Sequence, residues 1–340
     1  MNNSPDLNST PVFAGVDVGG TNIKIGLVDD DGRTIAHTKF PTQQENGPAR
    51  AIEQASTVID QLIQQTGINP SDVVGVGLGT PGPMDVAKGL LLTPSNLPAW
   101  HNYPIRDELS KATGRPVTYA NDAAAAAFGE FWVGAGASHD SIVLITLGTG
   151  VGGGIIVNGQ SIDGHSSHGA EIGHMVVDYS PDARLCGCGQ RGHLEAYASA
   201  TAVVQRAQEG LAAQRESSLT GEITEASPLS ALMIARAAMS GDEFALEIVD
   251  DTARWLGRGI TILAHVIDPS AFFLGGAMNF GGNDSELGQR FLGIIRTYVR
   301  ENSFPVLGDN LCVEFARLGG EAGYVGAAGL ARQMHVQPVG

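Results

Sequence analysis

Two short runs hold most of the residues that could do chemistry. His168-Gly-Ala-Glu171-Ile-Gly-His174 sets a carboxylate and an imidazole three residues apart in a polar, glycine-flanked stretch. Such a pair offers acceptors and donors in fixed directions, which suits sugar hydroxyls. The second run is Cys186-Gly-Cys188-Gly-Gln-Arg-Gly-His193-Leu-Glu195. Cys186, Cys188 and His193 are soft or borderline ligands on a glycine-rich knuckle, and His174 upstream makes four, the set that tetrahedral zinc takes. A free thiol pair in a reducing compartment is the plainer alternative.

Asn121-Asp122 closes one predicted strand and opens a helix, where α/β sheets place ligand chemistry. Asp122 could simply cap that helix. It could also orient a hydroxyl and take its proton late in a group transfer. Gly19-Gly20-Thr21 is a turn whose bare backbone could approach a phosphate. Around it, Asp17 could hold Mg²⁺, Thr21 could donate a hydroxyl and Lys24 could neutralise charge. Gly148-Thr149-Gly150 is a second such turn, and Gly275-Gly276 after a strand is a third. Gly148, Gly150 and Gly153 also match the dinucleotide fingerprint, but that fingerprint must open a helix, and here it leads into Ile155-Ile156-Val157. A dehydrogenase is therefore rejected, and no Walker A pattern is present.

The elements that must position these residues follow from patterning. Phe13 to Val18, Ile23 to Val28 and Thr34 to Phe40 read as hairpin-linked strands. Ala49 to Gln65 reads as a helix ended by Gly67, Val73 to Leu78 as a strand, and Tyr103 to Thr113 as a helix. Val117 to Ala120 is a strand and Ala123 to Trp132 an alanine-rich helix. A second unit repeats the opening: strand Ser141 to Leu147, glycine turn Gly148 to Gly154, return strand Ile155 to Val157. Met175 to Asp178 reads as a strand. Leu194 to Glu209, Asp242 to Ile267, Leu287 to Arg300 and Ala322 to Met334 read as helices, Ala271 to Leu274 and Cys312 to Phe315 as strands. The echo between the halves predicts two related α/β domains, each presenting a glycine turn to a shared cleft.

Length and composition bound these readings. The 340 residues suggest two domains. A formal charge of −16 argues against nucleic acid or anionic membrane as a partner. Three cysteines cannot make a disulfide framework. Met1 to Pro11 lacks a basic start and an apolar core, so no signal peptide and a cytoplasmic location are expected. Gly accounts for 46 residues and has no collagen period, which points to tight turns and ligand loops.

With these residues assembled, the chain resembles the ROK-family sugar kinases (repressor, open reading frame, kinase), and among them the bacterial glucokinases. The likeness runs from about Val12 to Met334. It rests on Asp17-Val-Gly-Gly-Thr-Asn-Ile-Lys24, Gly79-Thr-Pro-Gly-Pro83, Asn96-Leu-Pro-Ala-Trp100, Asn121-Asp122, Gly148-Thr-Gly150, Glu171-Ile-Gly-His174 and the cysteine knuckle.

The resemblance implies an actin-like, ribonuclease-H-like fold of two α/β domains around a cleft. The expected boundaries are 11–122 plus about 320–338, and 123–319. It implies an ATP- and Mg²⁺-dependent hexokinase that phosphorylates O6 of glucose, the first step of glycolysis. Related kinases act on fructose, mannose, N-acetylglucosamine or N-acetylmannosamine. A sugar-responsive regulator is disfavoured because only about a dozen residues precede the first strand. By resemblance, Asp122 is the catalytic base, and Asn96, Asn121, Glu171, His174 and Glu195 contact sugar. Asp17, Gly19, Gly20, Thr21, Lys24, Thr149, Gly150, Gly275 and Gly276 form the ATP–Mg²⁺ side. A structural zinc on His174, Cys186, Cys188 and His193 and a homodimer or homotetramer are also implied. The family's knuckle usually has a third Cys where this chain has His193, and its loop usually reads Ala-Gly where this chain has Gly169-Ala170.

Overall fold

The computed structural model describes residues 11–94, 96–224 and 227–336. In chain order its elements begin with β1 (Val12–Val18), β2 (Asn22–Asp29), β3 (Thr34–Pro41), α1 (Gly47–Thr66) and β4 (Val73–Thr80). A small hairpin, β5 (Met84–Asp85) and β6 (Leu90–Leu91), precedes α2 (Ile105–Thr113), β7 (Val117–Asn121) and α3 (Asp122–Trp132). Then come β8 (Ile142–Leu147), β9 (Val151–Val157), β10 (Gln160–Ser161), α4 (Glu195–Ala198), α5 (Ala200–Ala212), α6 (Ala231–Met239) and α7 (Glu243–Ile267). The chain closes with β11 (Ala271–Gly275), α8 (Glu286–Asn302), α9 (Pro305–Asn310), β12 (Cys312–Phe315) and α10 (Ala322–Val336).

The strands form two five-stranded sheets, ordered β3-β2-β1-β4-β7 and β10-β9-β8-β11-β12. The two orders are the same pattern written twice, which is the repeat heard in the sequence. In the first sheet β1 pairs antiparallel with β2, and parallel with β4. One face carries a core of Val16, Ile25, Leu27 and Leu78 against Ile59 of α1 and Leu109 of α2, all buried. The other carries Phe13 and Val28 against Tyr324, Val325 and Ala328 of α10. A sheet apolar on both faces must be covered twice, and these helices do so.

By its contacts the chain divides into two units, one from residues up to 138, 154–170 and 318 onward, the other from 139–153 and 171–317. The expected boundaries put 123–132 in the second domain. That helix, α3, lies with the first unit because it packs on α10: a Cβ on Gly129 would sit 2.7 Å from the Ala322 carbonyl oxygen. α10 is equally close to the sheet. A Cβ on Gly15 would lie 1.8 Å from Tyr324 O, and one on Gly77 1.7 Å from Ala327 O. The excess of glycine thus serves helix–sheet contact as well as turns.

Other expectations are corrected locally. The glycine turn ends at Gly150, and β9 begins at Val151. The helix expected over Leu194 to Glu209 breaks at Ser199, whose extended backbone ends α4 and whose side chain caps α5 through Ala202 N at 3.1 Å. The strand expected at Met175 to Asp178 is a single bridge between Val176 and His193. Two helices went unread, α6 and α9. Among the described residues no helix is long and apolar enough to cross a membrane.

Candidate active site

Register decides which candidates share an edge. In the first sheet Asp17 pairs with Gly79, and Thr80 with Asn121. Asp17, Gly79-Thr80 and Asn121-Asp122 therefore stand at the C-terminal ends of three neighbouring parallel strands. Asn121 is the N-cap of α3: its Oδ1 accepts from Ala123 N at 2.9 Å and Ala124 N at 3.2 Å. Asp122 is the first helical residue, and its Oδ1 accepts from Ala123 N at 2.8 Å. Capping, left open for Asp122, is shared and rests mainly on Asn121. Behind them, Tyr119 Oη lies 2.9 Å from Thr80 Oγ1. Burial pushes that phenol up to about 12, so it stays protonated at neutral pH.

Burial also pushes the Asp17 carboxyl above its usual range, against the pull of Lys24. The Lys24 ammonium lies 3.6 Å from Asp17 and donates to Gly320 O at 2.9 Å. The lysine read as a phosphate neutraliser thus has two partners within its own unit. The first glycine turn is closed by Gly19 N donating to Asn22 O at 3.0 Å. It is held from outside by Thr42, which the sequence reading missed: Thr42 Oγ1 donates to Gly19 O at 2.6 Å and Thr42 N to Thr21 O at 2.9 Å. The signal was available, because β3 returns antiparallel and pairs Pro41 with Asn22. Asn96 is exposed beside the same turn, its Nδ2 3.6 Å from where a Cβ on Gly20 would be. His165 and His168 are exposed in the first unit.

In the second sheet Gly275 pairs with Thr146, so Gly148–Gly150 and Gly275-Gly276 leave the same edge. Gly148 O accepts from Ala200 N at 2.9 Å, and Thr149 O from Thr201 Oγ1 at 2.8 Å, tying the turn to the start of α5. Gly276 has φ +91°, and a Cβ there would lie 2.2 Å from Leu147 O, so only glycine fits. Beside Thr149 opens a cleft of about 610 Å³ lined by Thr201, Gln205 and Gln208 of α5 and by Ser230 and Ala231. The sequence reading missed this cleft because it missed α6.

The cysteine run folds into a tight knuckle, with Cys186 N donating to Gln190 O at 2.8 Å and Gly189 N to Cys186 O at 2.9 Å. His174 ends a short 3₁₀ turn, Ile172–His174, whose preceding residue, Glu171, is exposed. One ligand atom from each of His174, Cys186, Cys188 and His193 lies within 4.8 Å of the others. His174 Nδ1 and His193 Nδ1 are 3.3 Å apart, Cys188 Sγ and His193 Nδ1 3.3 Å, Cys186 Sγ and His174 Nδ1 3.9 Å. A tetrahedral zinc with ordinary bond lengths sets ligand edges of about 3.3–3.8 Å, close to these three separations, and two Cys with two His is a set that zinc takes. Burial pushes the Cys186 thiol up to about 11 and lowers the His193 imidazole. A neutral imidazole is ready to ligate, and a cation would favour the thiolate. Glu195 sits against this cluster. Its Oε1 accepts from Cys186 Sγ at 3.6 Å, and its Oε2 accepts from Val151 N at 3.0 Å, reaching the second glycine turn.

A model of the ROK family matches residues 13–334. The chain belongs to the ROK family. It is 35% identical over 321 residues to the glucokinase of Halalkalibacterium halodurans, covering 94% of this chain and 95% of the relative. It is 36% identical over 319 residues to the glucokinase of Thermotoga maritima, covering 94% and 96%. The crystal structure of a ROK family glucokinase from Streptomyces griseus in complex with glucose and AMPPNP matches with a TM-score of 0.74 and 36% identity, over 95% of this chain and 99% of that one. The doubled sheet pattern is accordingly the actin-like, ribonuclease-H-like α/β fold of ROK kinases.

Proposed function

We propose that this ROK protein is an ATP-dependent glucokinase, transferring the γ-phosphoryl group to O6 of glucose to give glucose 6-phosphate and ADP. The observation that carries the reading is full-length likeness to chains named glucokinase, at 35–36% identity. Asp122 is the base. As the bond from O6 to phosphorus forms and the bond to the β-phosphate oxygen breaks, its carboxylate accepts the O6 proton. An ordinary carboxylate cannot deprotonate a free alcohol beforehand, but a loose transition state requires only late transfer. Asn96, Asn121, Glu171, His174 and Glu195 are the residues that the family resemblance assigns to the other hydroxyls. His174 would reach its hydroxyl through Nε2 while Nδ1 faces the knuckle.

Gly19, Gly20, Thr149, Gly150, Gly275 and Gly276 offer bare backbone to the nucleotide. Asp17 and Thr21 are the residues that would hold Mg²⁺, with Lys24 beside Asp17 favouring its charged form against burial. When bound, Mg²⁺ supplies neutralisation of charge on the transferred group. Zinc on His174, Cys186, Cys188 and His193 is structural in this reading, since four protein ligands leave no open position. The enzyme would work in the cytoplasm at the head of glycolysis, as a homodimer or homotetramer.

The test is a panel of hexoses and N-acetylated hexosamines crossed with ATP, ADP and polyphosphate, read by product mass and nucleotide release. Glucose with ATP and Mg²⁺ should give the fastest turnover. No phosphorylation of any hexose at millimolar concentration with any donor overturns the kinase reading.

A further inference from the structure

Tyr197 stands where three segments of the second unit meet. It lies on α4, two residues beyond Glu195, and is only 4% exposed. A buried tyrosine needs partners for its hydroxyl, and this one has two. The hydroxyl donates to Asp178 Oδ2 at 2.5 Å and accepts from Arg184 N at 2.8 Å. One oxygen thereby closes the loop from residue 178 to residue 184.

Both ends of that loop lead to the knuckle. Arg184 O accepts from Gly192 N at 2.9 Å, and Gly192 O accepts from Val177 N at 2.8 Å and Asp178 N at 3.2 Å. Cys186 lies two residues past Arg184, and His193 directly follows Gly192. Helix α4, which carries the hydroxyl, also carries Glu195 at its first position. The whole is tied to its surroundings. The Tyr197 ring lies 3.9 Å from the Trp255 ring of α7, and Arg258 sits 4.6 Å over that same ring while donating to Val177 O at 3.0 Å. Arg184 makes a two-pronged pair with Glu209 of α5, at 2.9 and 2.6 Å.

We propose that Tyr197 is a positioning residue, whose hydroxyl holds the Cys186–Cys188 knuckle and Glu195 in one fixed geometry and so sets sugar affinity without touching the sugar. The sugar part rests on the glucokinase reading; the knuckle part does not. Burial pushes the Tyr197 phenol up to about 12, so it remains a donor at neutral pH, and its hydrogen bond holds the Asp178 carboxyl below the usual carboxylate range. A hydrogen bond to a charged acceptor is worth about tenfold or more in an equilibrium when all of it reaches the site.

Tyr197→Phe keeps the ring on Trp255 and removes both hydrogen bonds. In the purified full-length protein, amide hydrogen exchange over residues 178–192 should quicken about tenfold, while α7 and β11 keep their protection. The same variant should raise the glucose KM about tenfold, with the ATP KM changed by less than about twofold. Asp178→Ala removes the acid partner from a half-buried position, together with its bond from Ser180 N at 3.0 Å in the same loop, and should show both effects, and the two substitutions together should cost little more than Asp178→Ala alone. Unchanged protection over 178–192 overturns the proposal. So does an equal loss of protection throughout the unit, which would make the hydroxyl a general stabiliser. Local loss of protection with an unaltered glucose KM, in a protein that phosphorylates glucose, also overturns it. If the unsubstituted protein phosphorylates no hexose, the glucokinase reading fails, and the exchange measurement alone decides whether Tyr197 fixes the knuckle.

Discussion

Gly150→Ala separates two roles for one glycine. If the turn exists to bring bare backbone to a phosphate, the substitution should injure ATP binding. The structure points to a different injury. A Cβ on Gly150 would lie 2.3 Å from Glu195 Oε2 and 3.2 Å from its Cδ. Ordinary contact needs about 3.5 Å, so the carboxylate must retreat by about 1 Å. The same Oε2 accepts from Val151 N at 3.0 Å. A retreat of about 1 Å takes that bond beyond useful range.

A hydrogen bond to a charged acceptor contributes about 1.5–3 kcal/mol, or about 10- to 150-fold in affinity if all of it reaches the sugar. The fold itself should lose less, because a glutamate side chain can swing while a backbone cannot. Initial rates with each substrate varied at saturating partner should show the glucose KM raised tenfold or more and the ATP KM within about threefold. Glu195→Asp in the Gly150→Ala background shortens the side chain by one methylene and should recover part of the glucose affinity. A raised ATP KM with glucose unaffected would refute this reasoning and return Gly150 to the phosphate role.

Asp122→Asn should lower kcat by about 10² or more, the scale for losing a positioned base. It should leave the melting temperature nearly unchanged, because Asn121 Oδ1 carries most of the cap; near-normal kcat would strip Asp122 of the catalytic role. Metal analysis of protein purified without chelator should find about one zinc per chain. His193→Cys should keep the metal, and Cys188→Ser should lose it and raise the glucose KM more than the ATP KM. Fully active protein with under about 0.2 zinc per chain would remove the metal from this account. Asp242 caps α7; burial works against its charge, but bonds from Ala245 N, Ser217 Oγ, Ser218 Oγ and Ser218 N prevail and hold its carboxyl at about 2, below its ordinary 3.8. An acid depressed in this way stabilises the fold fully above pH 4, and the gain is lost as pH falls towards 2. Asp242→Asn should therefore lower the melting temperature at pH 7 and much less at pH 2; equal losses at both would exclude the charge as the cause.

Much of this protein was legible in the chain because the signals are local. Alternating apolar residues broken by a glycine turn, as at Gly19-Gly20 and Gly148–Gly150, signal a hairpin from neighbouring residues alone, so the doubled strand–turn–strand opening could be read directly. The cysteine knuckle was legible for the same reason, its ligands Cys186, Cys188 and His193 being close in sequence. Tertiary structure decided what depends on distant segments meeting. Whether Asp122 shares an edge with Asp17 follows from the Asp17–Gly79 and Thr80–Asn121 register, which no single segment encodes. α10 could be recognised as a helix, but not that it would lie close enough on β1 and β4 to require Gly15 and Gly77, or that it would draw α3 into the first unit. Lys24 turned to Asp17 and Gly320, and Glu195 reached both Cys186 and Val151, because a charged group takes the hydrogen-bonding partners within its reach and only the fold brings these near. Residue types and short spacings announced the chemistry; the long-range packing of a two-faced sheet chose which of those residues would meet.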